Sequence, residues 1–148
     1  MIVRELTIRY EPKPGATVEP DIKIMTAADA AAIARPRLEA EAVEVFAALF
    51  LTTCHTLIGW HVLSRGTIDA TPLTPAALMR VALLTNAAAL ILVHNHPSGD
   101  ATPSAADVEV SRRMVDAGTL LGVAVLDHII VGDTSHASIA ALGLCPFK

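Results

Sequence analysis

Two histidines and one aspartate in the second half of the sequence have the types and spacing that suit metal binding. His94 and His96 end an apolar run, and Asp107 follows eleven residues after His96. Side chains two positions apart in a strand project from the same face, so both imidazoles can reach one ion. A turn at residues 97–99 would let the next helix bring Asp107 back over the strand end. Two neutral imidazoles and one carboxylate suit Zn²⁺, with a fourth tetrahedral position left for water.

The same residues have a purely structural interpretation. Ser104-x-x-Asp107 is also the pattern of a helix N-terminus, in which Ser104 caps the helix and Asp107 lies in its first turn. A His-x-His pair is common by chance in a sequence with six histidines. The metal-site prediction therefore depends on the combination of the pair with an aspartate at this distance.

The elements that must position these residues alternate between strands and helices. The predicted strands are residues 2–10, 44–51, 56–63, 87–93 and 123–131. The predicted helices are residues 27–35, capped by Thr26 and ended or kinked at Pro36, residues 74–83, and residues 104–119, closed by Gly118 or Gly122. This order predicts an α/β (α+β) domain with a central mixed sheet and helices packed on it.

We predict two regions in the chain. Residues 1–40 form an N-terminal strand, a Pro-rich tether and a short helix, and residues 41–148 form the main domain. Neither a secretory signal nor an apolar stretch long enough for a bilayer is visible, so we expect a cytoplasmic protein with no membrane partner.

Composition narrows the classes of function. The 148 residues carry a net charge of -4, and only 3% of them are aromatic. That balance gives no support to a nucleic-acid partner bound through a basic surface or stacked rings, although a local basic patch could exist. Cys54 and Cys145 are too few for a disulfide scaffold or a site built from four thiolates.

The sequence around the histidines resembles one branch of a known family. HNHPSG followed by PSAAD, with NAAALILVHNHPSG and LGVAVLDHIIVG, is similar to the RadC-like branch of the JAMM (MPN+, JAB) metallopeptidases from about Glu41 to Gly143. The resemblance implies a cytidine-deaminase-like three-layer fold, a Zn²⁺ held by His94, His96 and Asp107, and hydrolysis of peptide or isopeptide bonds. Deamination is not expected, because the H-x-E…P-C-x-x-C pattern is missing.

The resemblance also implies roles for two further residues. An upstream glutamate on a strand facing the metal corresponds to Glu44, with Glu41 as the competing candidate. Glu44 would take a proton from a water that zinc has acidified, and the Ser104 hydroxyl would stabilise the oxyanion.

The other histidines have less specific interpretations. His128, on a buried-looking strand, is either a residue that orients a ligand or a hydrogen-bonded core histidine. His55, His61 and His136 are predicted to be surface or turn residues.

Three functions stay open at the level of sequence. The first is a zinc-dependent peptidase or isopeptidase acting on a peptide or protein, with specificity in loops such as residues 67–74 and 133–138. The second is a DNA-repair or mobile-element accessory protein, which the RadC name suggests only by association. The third is a noncatalytic MPN-like scaffold. A homodimer formed through the N-terminal strand is a further expectation.

Overall fold

Five strands and three helices follow one another in the computed structural model of the protein, which describes residues 21–66 and 73–147. In chain order they are α1 (Ala27–Leu38), β1 (Val45–Leu51), β2 (Leu57–Arg65), α2 (Pro75–Leu84), β3 (Ala89–Asn95), α3 (Ala105–Leu121), β4 (Ala124–Val131) and β5 (His136–Ser138). The predicted strand at residues 2–10 and most of the Pro-rich tether lie outside the described residues. None of the helices within the described ranges has the length and apolarity needed to cross a bilayer.

The strands form one mixed sheet in the order β2-β1-β3-β4-β5. β3 and β4 run parallel, with α3 as the crossover between them, and the other neighbours are antiparallel. Every residue of β1 and of β3 is buried. A strand covered on both faces reads as a continuous apolar run, which is why these two strands were visible in the sequence.

Helices cover both faces of the sheet, so the domain has three layers. On one face, Ala30, Ala34 and Leu38 of α1 pack in one cluster with residues such as Leu49 and Val93. On the other face, the cluster includes Phe46, Phe50 and Leu92 of the strands, Leu78 and Ala82 of α2, and Val110 and Met114 of α3. The predicted mixed sheet with packed helices is confirmed.

The helix ends follow the predicted caps. Thr74 caps α2 with Pro75 at its first turn, and Ser104 caps α3 through a capping box with Asp107. Of the two candidate stops for α3, Gly122 is the one that ends it, because it adopts a left-handed φ of 74° that glycine tolerates.

The described elements differ from the sequence predictions in three details. α1 does not end at Pro36 but continues to Leu38, because a proline in the last turn removes one backbone hydrogen bond and Leu38 is buried in the core. β5 was not predicted, and it occupies part of the expected loop at residues 133–138, since three residues are too short to show a period. β3 runs from Ala89 to Asn95, so it includes His94.

Candidate metal centre

His94 lies inside the sheet rather than at its margin. It pairs with Phe46 of β1 and with Ile130 of β4, and its side chain is 0% exposed. Its Nε2 atom lies 3.2 Å from Asp107 Oδ1 and 3.7 Å from Glu44 Oε1. The two strands on either side therefore fix the depth and direction of this imidazole.

His96 follows the last residue of β3 and is held by its own backbone and ring. Its amide donates to the carbonyl of Val131 at 3.0 Å, which extends the parallel pairing by one residue. Its Nδ1 atom lies 2.7 Å from the carbonyl oxygen of Asp100, which can only accept, so Nδ1 is the donor. When the ring is neutral, the Nε2 atom therefore carries the lone pair, and it lies 2.8 Å from Nε2 of His94.

Asp107 contacts both the N-terminus of α3 and the two histidines. We call the group of Glu44, His94, His96 and Asp107 the cluster. Its Oδ2 accepts from the backbone amide of Ser104 at 2.7 Å, while the Ser104 hydroxyl accepts from the amide of Asp107 at 3.1 Å. Oδ1 lies 3.2 Å from Nε2 of His94, and Oδ2 lies 3.4 Å from Nε2 of His96. The capping and metal-binding interpretations are thus compatible, because the first turn of α3 directs the carboxylate of Asp107 at the histidines.

Electrostatics keep Asp107 ionised. Burial acts to raise the pKa of this carboxyl group, but the hydrogen bond and charge of His94, together with the contacts from Ser104, outweigh burial and hold the pKa well below its usual value. A buried carboxylate whose pKa is lowered in this way, and which is 1% exposed, is a suitable ligand for a cation.

The two candidate glutamates lie in different surroundings. Glu44 immediately precedes β1, and a side-chain exposure of 21% keeps it in contact with water beside the cluster. Glu41 instead forms an ion pair with Arg65 of β2. The structure therefore groups Glu44, and not Glu41, with the histidines and Asp107.

Asn95, the residue between the two histidines, holds the backbone on both sides of Glu44. Its Oδ1 accepts from the amide of Val45 at 2.7 Å, and its Nδ2 donates to the carbonyl of Val43 at 3.0 Å. Because successive strand residues point to opposite faces, Asn95 reaches across to β1 while its neighbours face the cluster.

The donor set of the cluster fits a divalent cation. One atom from each of Glu44, His94, His96 and Asp107 can be chosen so that all lie within 4.8 Å of one another. Nδ1 of His96 is used by Asp100, and Nδ1 of His94 lies 2.8 Å from Nε2 of His128. Two imidazole Nε2 atoms and two carboxylates therefore converge, and together they could bind a divalent cation.

Comparison with known families agrees with this geometry. The family described as RadC-like JAB domain matches residues 24–144. The chain belongs to the RadC-like JAB domain family. The match includes α1, which lies ahead of the predicted start of the resemblance at Glu41.

Three similar curated relatives of this RadC-like JAB domain carry only general names. A UPF0758 protein of Methanosarcina acetivorans is 40% identical over 121 residues, which are 82% of this chain and 53% of that protein. A UPF0758 protein of Azotobacter vinelandii is 48% identical over 109 residues, or 74% of this chain and 49% of that protein. One from Thioalkalivibrio sulfidiphilus is 51% identical over 108 residues, or 73% of this chain and 48% of that protein. The chain spans about half the length of these relatives.

Sequence reasoning missed two residues around the cluster, Asn95 and Ser111, and left the role of a third, His128, open. Asn95 was missed because nothing local shows what it contacts. Ser111 was not singled out, although its position four after Asp107 places both on one helix face. His128, left between two interpretations, is fully buried and contacts His94 directly. Burial, and then the nearby charge of His94, lower the pKa of His128 well below its usual value.

The remaining histidines stand apart from the cluster. His55 lies in the turn between β1 and β2 with a φ of 59°, and His61 is an exposed residue of β2. His136 is exposed at the start of β5. Among the described residues, only the one group of four has ligand atoms close enough to hold a metal ion.

Proposed function

We propose that this JAB domain is a zinc-dependent hydrolase that cleaves a peptide or isopeptide bond. The observation that carries the proposal is the convergence of four donor groups from the start of β1, the end of β3 and the first turn of α3, in which His96 uses its Nδ1 elsewhere and has Nε2 available for an ion. Three protein ligands plus one open position are typical of catalytic zinc sites, and a closed set of four is typical of structural ones. His94, His96 and Asp107 would be the ligands.

A bound zinc ion would supply a water acidified to a pKa of about 7 and a positive charge that polarises a carbonyl group. We assign the proton transfer to Glu44. Its carboxylate lies 3.7 Å from the ligand atom of His94 and is the more solvent-accessible of the two carboxylates in the cluster. In the proposal it removes a proton from water and returns it to the leaving amine.

Ser104 is suited to a different task. Its Oγ already accepts the amide hydrogen of Asp107, so the cap does not use the hydroxyl hydrogen. The residue is also exposed at the helix start, next to the cluster. We assign that hydrogen to the oxyanion that develops when the carbonyl is attacked, where a single donor is typically important for rate.

Two residues of the proposed centre are exposed to solvent, where a substrate could approach. Nearly all of His94 and Asp107 is buried, but the side chains of His96 and Glu44 are 16% and 21% exposed. A cleft borders His96 and is lined in part by Leu38, Pro97 and Gly132. In the proposal a peptide segment approaches the centre over the exposed parts of His96 and Glu44.

The test combines metal content with cleavage. Purified protein should contain about one zinc per chain by elemental analysis, and the His94→Ala, His96→Ala double variant should contain none. A library of internally quenched peptides, and a matched library with Lys ε-amide branches, should reveal cleavage that is absent from Glu44→Gln. Equal metal content in protein and double variant would remove the basis of the proposal. Stoichiometric zinc without cleavage of either library would favour the noncatalytic scaffold instead.

A further inference from the structure

A series of buried hydrogen bonds leads from the cluster into the core. Nδ1 of His94 lies 2.8 Å from Nε2 of His128, and Nδ1 of His128 lies 2.7 Å from Oγ of Ser111. The Ser111 hydroxyl in turn lies 2.7 Å from the backbone carbonyl oxygen of Asp107. We call these groups the buried network. It starts at one proposed metal ligand and returns to the backbone of another.

The hydrogens of the buried network have one consistent arrangement. The carbonyl of Asp107 can only accept, so the single hydrogen of Ser111 points to it. Ser111 then accepts from Nδ1 of His128, whose Nε2 is left as the acceptor for Nδ1–H of His94. A neutral imidazole carries one ring hydrogen, so the neutral form of His94, which is the form that can bind a metal, directs the lone pair of Nε2 at Glu44, His96 and Asp107. The protonated form keeps the same network and places on Nε2 the hydrogen that Asp107 accepts.

Packing fixes the rings of the network as well. His94, His128 and Ser111 are each 0% exposed. Phe46 of β1 stacks on His94 with ring centroids 5.8 Å apart and meets His128 edge-on at 5.2 Å. Rotation of either imidazole would therefore break a hydrogen bond and collide with a buried aromatic ring.

We propose that His128 and Ser111 are positioning residues that set the tautomer and ring orientation of the metal ligand His94 and tie it to the helix that carries Asp107. The inference rests on the proposed metal-binding function. Partners behind a ligating histidine commonly raise metal affinity by holding the lone pair toward the ion. A core histidine that only satisfied its own hydrogen bonds would not control the tautomer of its neighbour.

Substitutions can distinguish the contact that Nε2 of His128 makes with His94 from the contact that Nδ1 makes with Ser111. His128→Gln can place an amide oxygen near the position of Nε2 and accept from His94, whereas the shorter Asn of His128→Asn reaches toward Ser111 only. Ser111→Ala removes the hydroxyl and Ser111→Thr keeps it. Ser138→Ala is the matched control, because it removes a buried hydroxyl that instead bonds to Asp127.

Zinc affinity, measured by competition with a fluorescent chelator, is the first readout. We expect His128→Asn to weaken zinc binding by about 10- to 100-fold, with partial recovery in His128→Gln. Ser111→Ala should weaken it less, Ser111→Thr should restore it, and Ser138→Ala should leave it unchanged. Thermal unfolding of the metal-free variants identifies any variant that fails to fold, in which case the Ser111 pair carries the test.

The tautomer of His94 is the second readout, and it does not need metal. Long-range nitrogen–proton correlation spectra of the metal-free protein at a pH where His94 is neutral should show Nδ1 protonated and Nε2 bare, and a tautomer mixture in His128→Asn. Wild-type protein that binds no zinc but shows this tautomer contradicts the proposed function and not the network. Zinc binding by wild type, with His128→Asn and Ser111→Ala within twofold of it and an unchanged tautomer, would overturn the positioning role alone.

Discussion

The carboxamide of Asn95 clasps the backbone on both sides of Glu44. It accepts from the amide of Val45 at 2.7 Å and donates to the carbonyl of Val43 at 3.0 Å. The residue between the two histidines thus holds the backbone that carries the carboxylate facing them. One tripeptide at the end of β3 contributes two proposed ligands and aligns the proposed base.

Asn95→Ala should release this segment without removing a ligand. The buried amide of Val45 and carbonyl of Val43 would lose their partner, which should lower the free energy of unfolding by about 1–3 kcal/mol. Hydrogen exchange at the Val45 amide should accelerate, while zinc stoichiometry stays near one. Asn95→Asp, which keeps the acceptor and loses the donor, should retain protection at Val45. An unchanged exchange rate of the Val45 amide in Asn95→Ala would show that its hydrogen bond to Asn95 does not form in solution.

Glu44→Gln should abolish turnover and leave zinc in place. The amide has nearly the same shape as the carboxylate but cannot accept a proton, so the rate should fall by at least about 100-fold. Elemental analysis and cleavage of a substrate from the peptide libraries measure the two quantities on one sample. Glu41→Gln is the control, since Glu41 pairs with Arg65, and it should keep most of the activity. Loss of zinc from Glu44→Gln would make Glu44 a required ligand instead.

Asp107→Asn and Ser104→Ala should separate the helix cap from the metal site. An asparagine can still accept from the amide of Ser104, so the metal-free variant should unfold within about 1 kcal/mol of wild type. Its zinc affinity should drop by more than about 100-fold, beyond the loss expected for a partner behind a ligand. Ser104→Ala should show the opposite pattern: about 1 kcal/mol of lost stability, retained zinc and reduced turnover. Chemical denaturation and chelator competition distinguish the two.

Gly132→Ala should disturb the loop that carries His96. A Cβ atom on Gly132 would collide with the carbonyl oxygen of Gly99 and lie 3.0 Å from the amide nitrogen of Ala101. Both contacts are backbone, so the loop must shift, at a cost of about 1–3 kcal/mol and with weaker zinc binding. Gly59→Ala has open space around its Cβ and should change stability by less than about 0.5 kcal/mol. Equal melting temperatures for the two variants would contradict the close approach.

Zinc should stabilise the wild-type domain in proportion to its affinity. A ligand that binds only the folded state adds about 2.7 kcal/mol at a concentration 100 times its Kd. Thermal unfolding with and without a chelator should show the shift, and the His94→Ala, His96→Ala double variant should not show it. Magnesium is the control ion, because it prefers oxygen ligands and should give little change. A shift that persists in the double variant would place the ion elsewhere.

The helices, the central strands and the proposed ligands could be predicted from local sequence. Thr74-Pro75 and Ser104-x-x-Asp107 define helix starts by hydrogen bonds within one turn, and β1 and β3 are apolar because both faces are buried. Elements such as β5 could not, since its three residues form a strand only by pairing with β4. The extension of α1 beyond Pro36 likewise depends on the burial of Leu38.

By itself, the sequence determined which groups can bind a cation, since His94, His96 and Asp107 have the required chemistry and sit at the ends of predictable elements. Only the tertiary structure decided which other groups serve them. Asn95 contacts the backbone beside Glu44, and His128 and Ser111 link His94 to the backbone of Asp107. These contacts run between strands and across to α3, and residue types along the chain do not encode those distances. Position also distinguishes Glu41 from Glu44, because pairing of β1 with β2 and β3 brings one carboxylate to Arg65 and the other to the histidines.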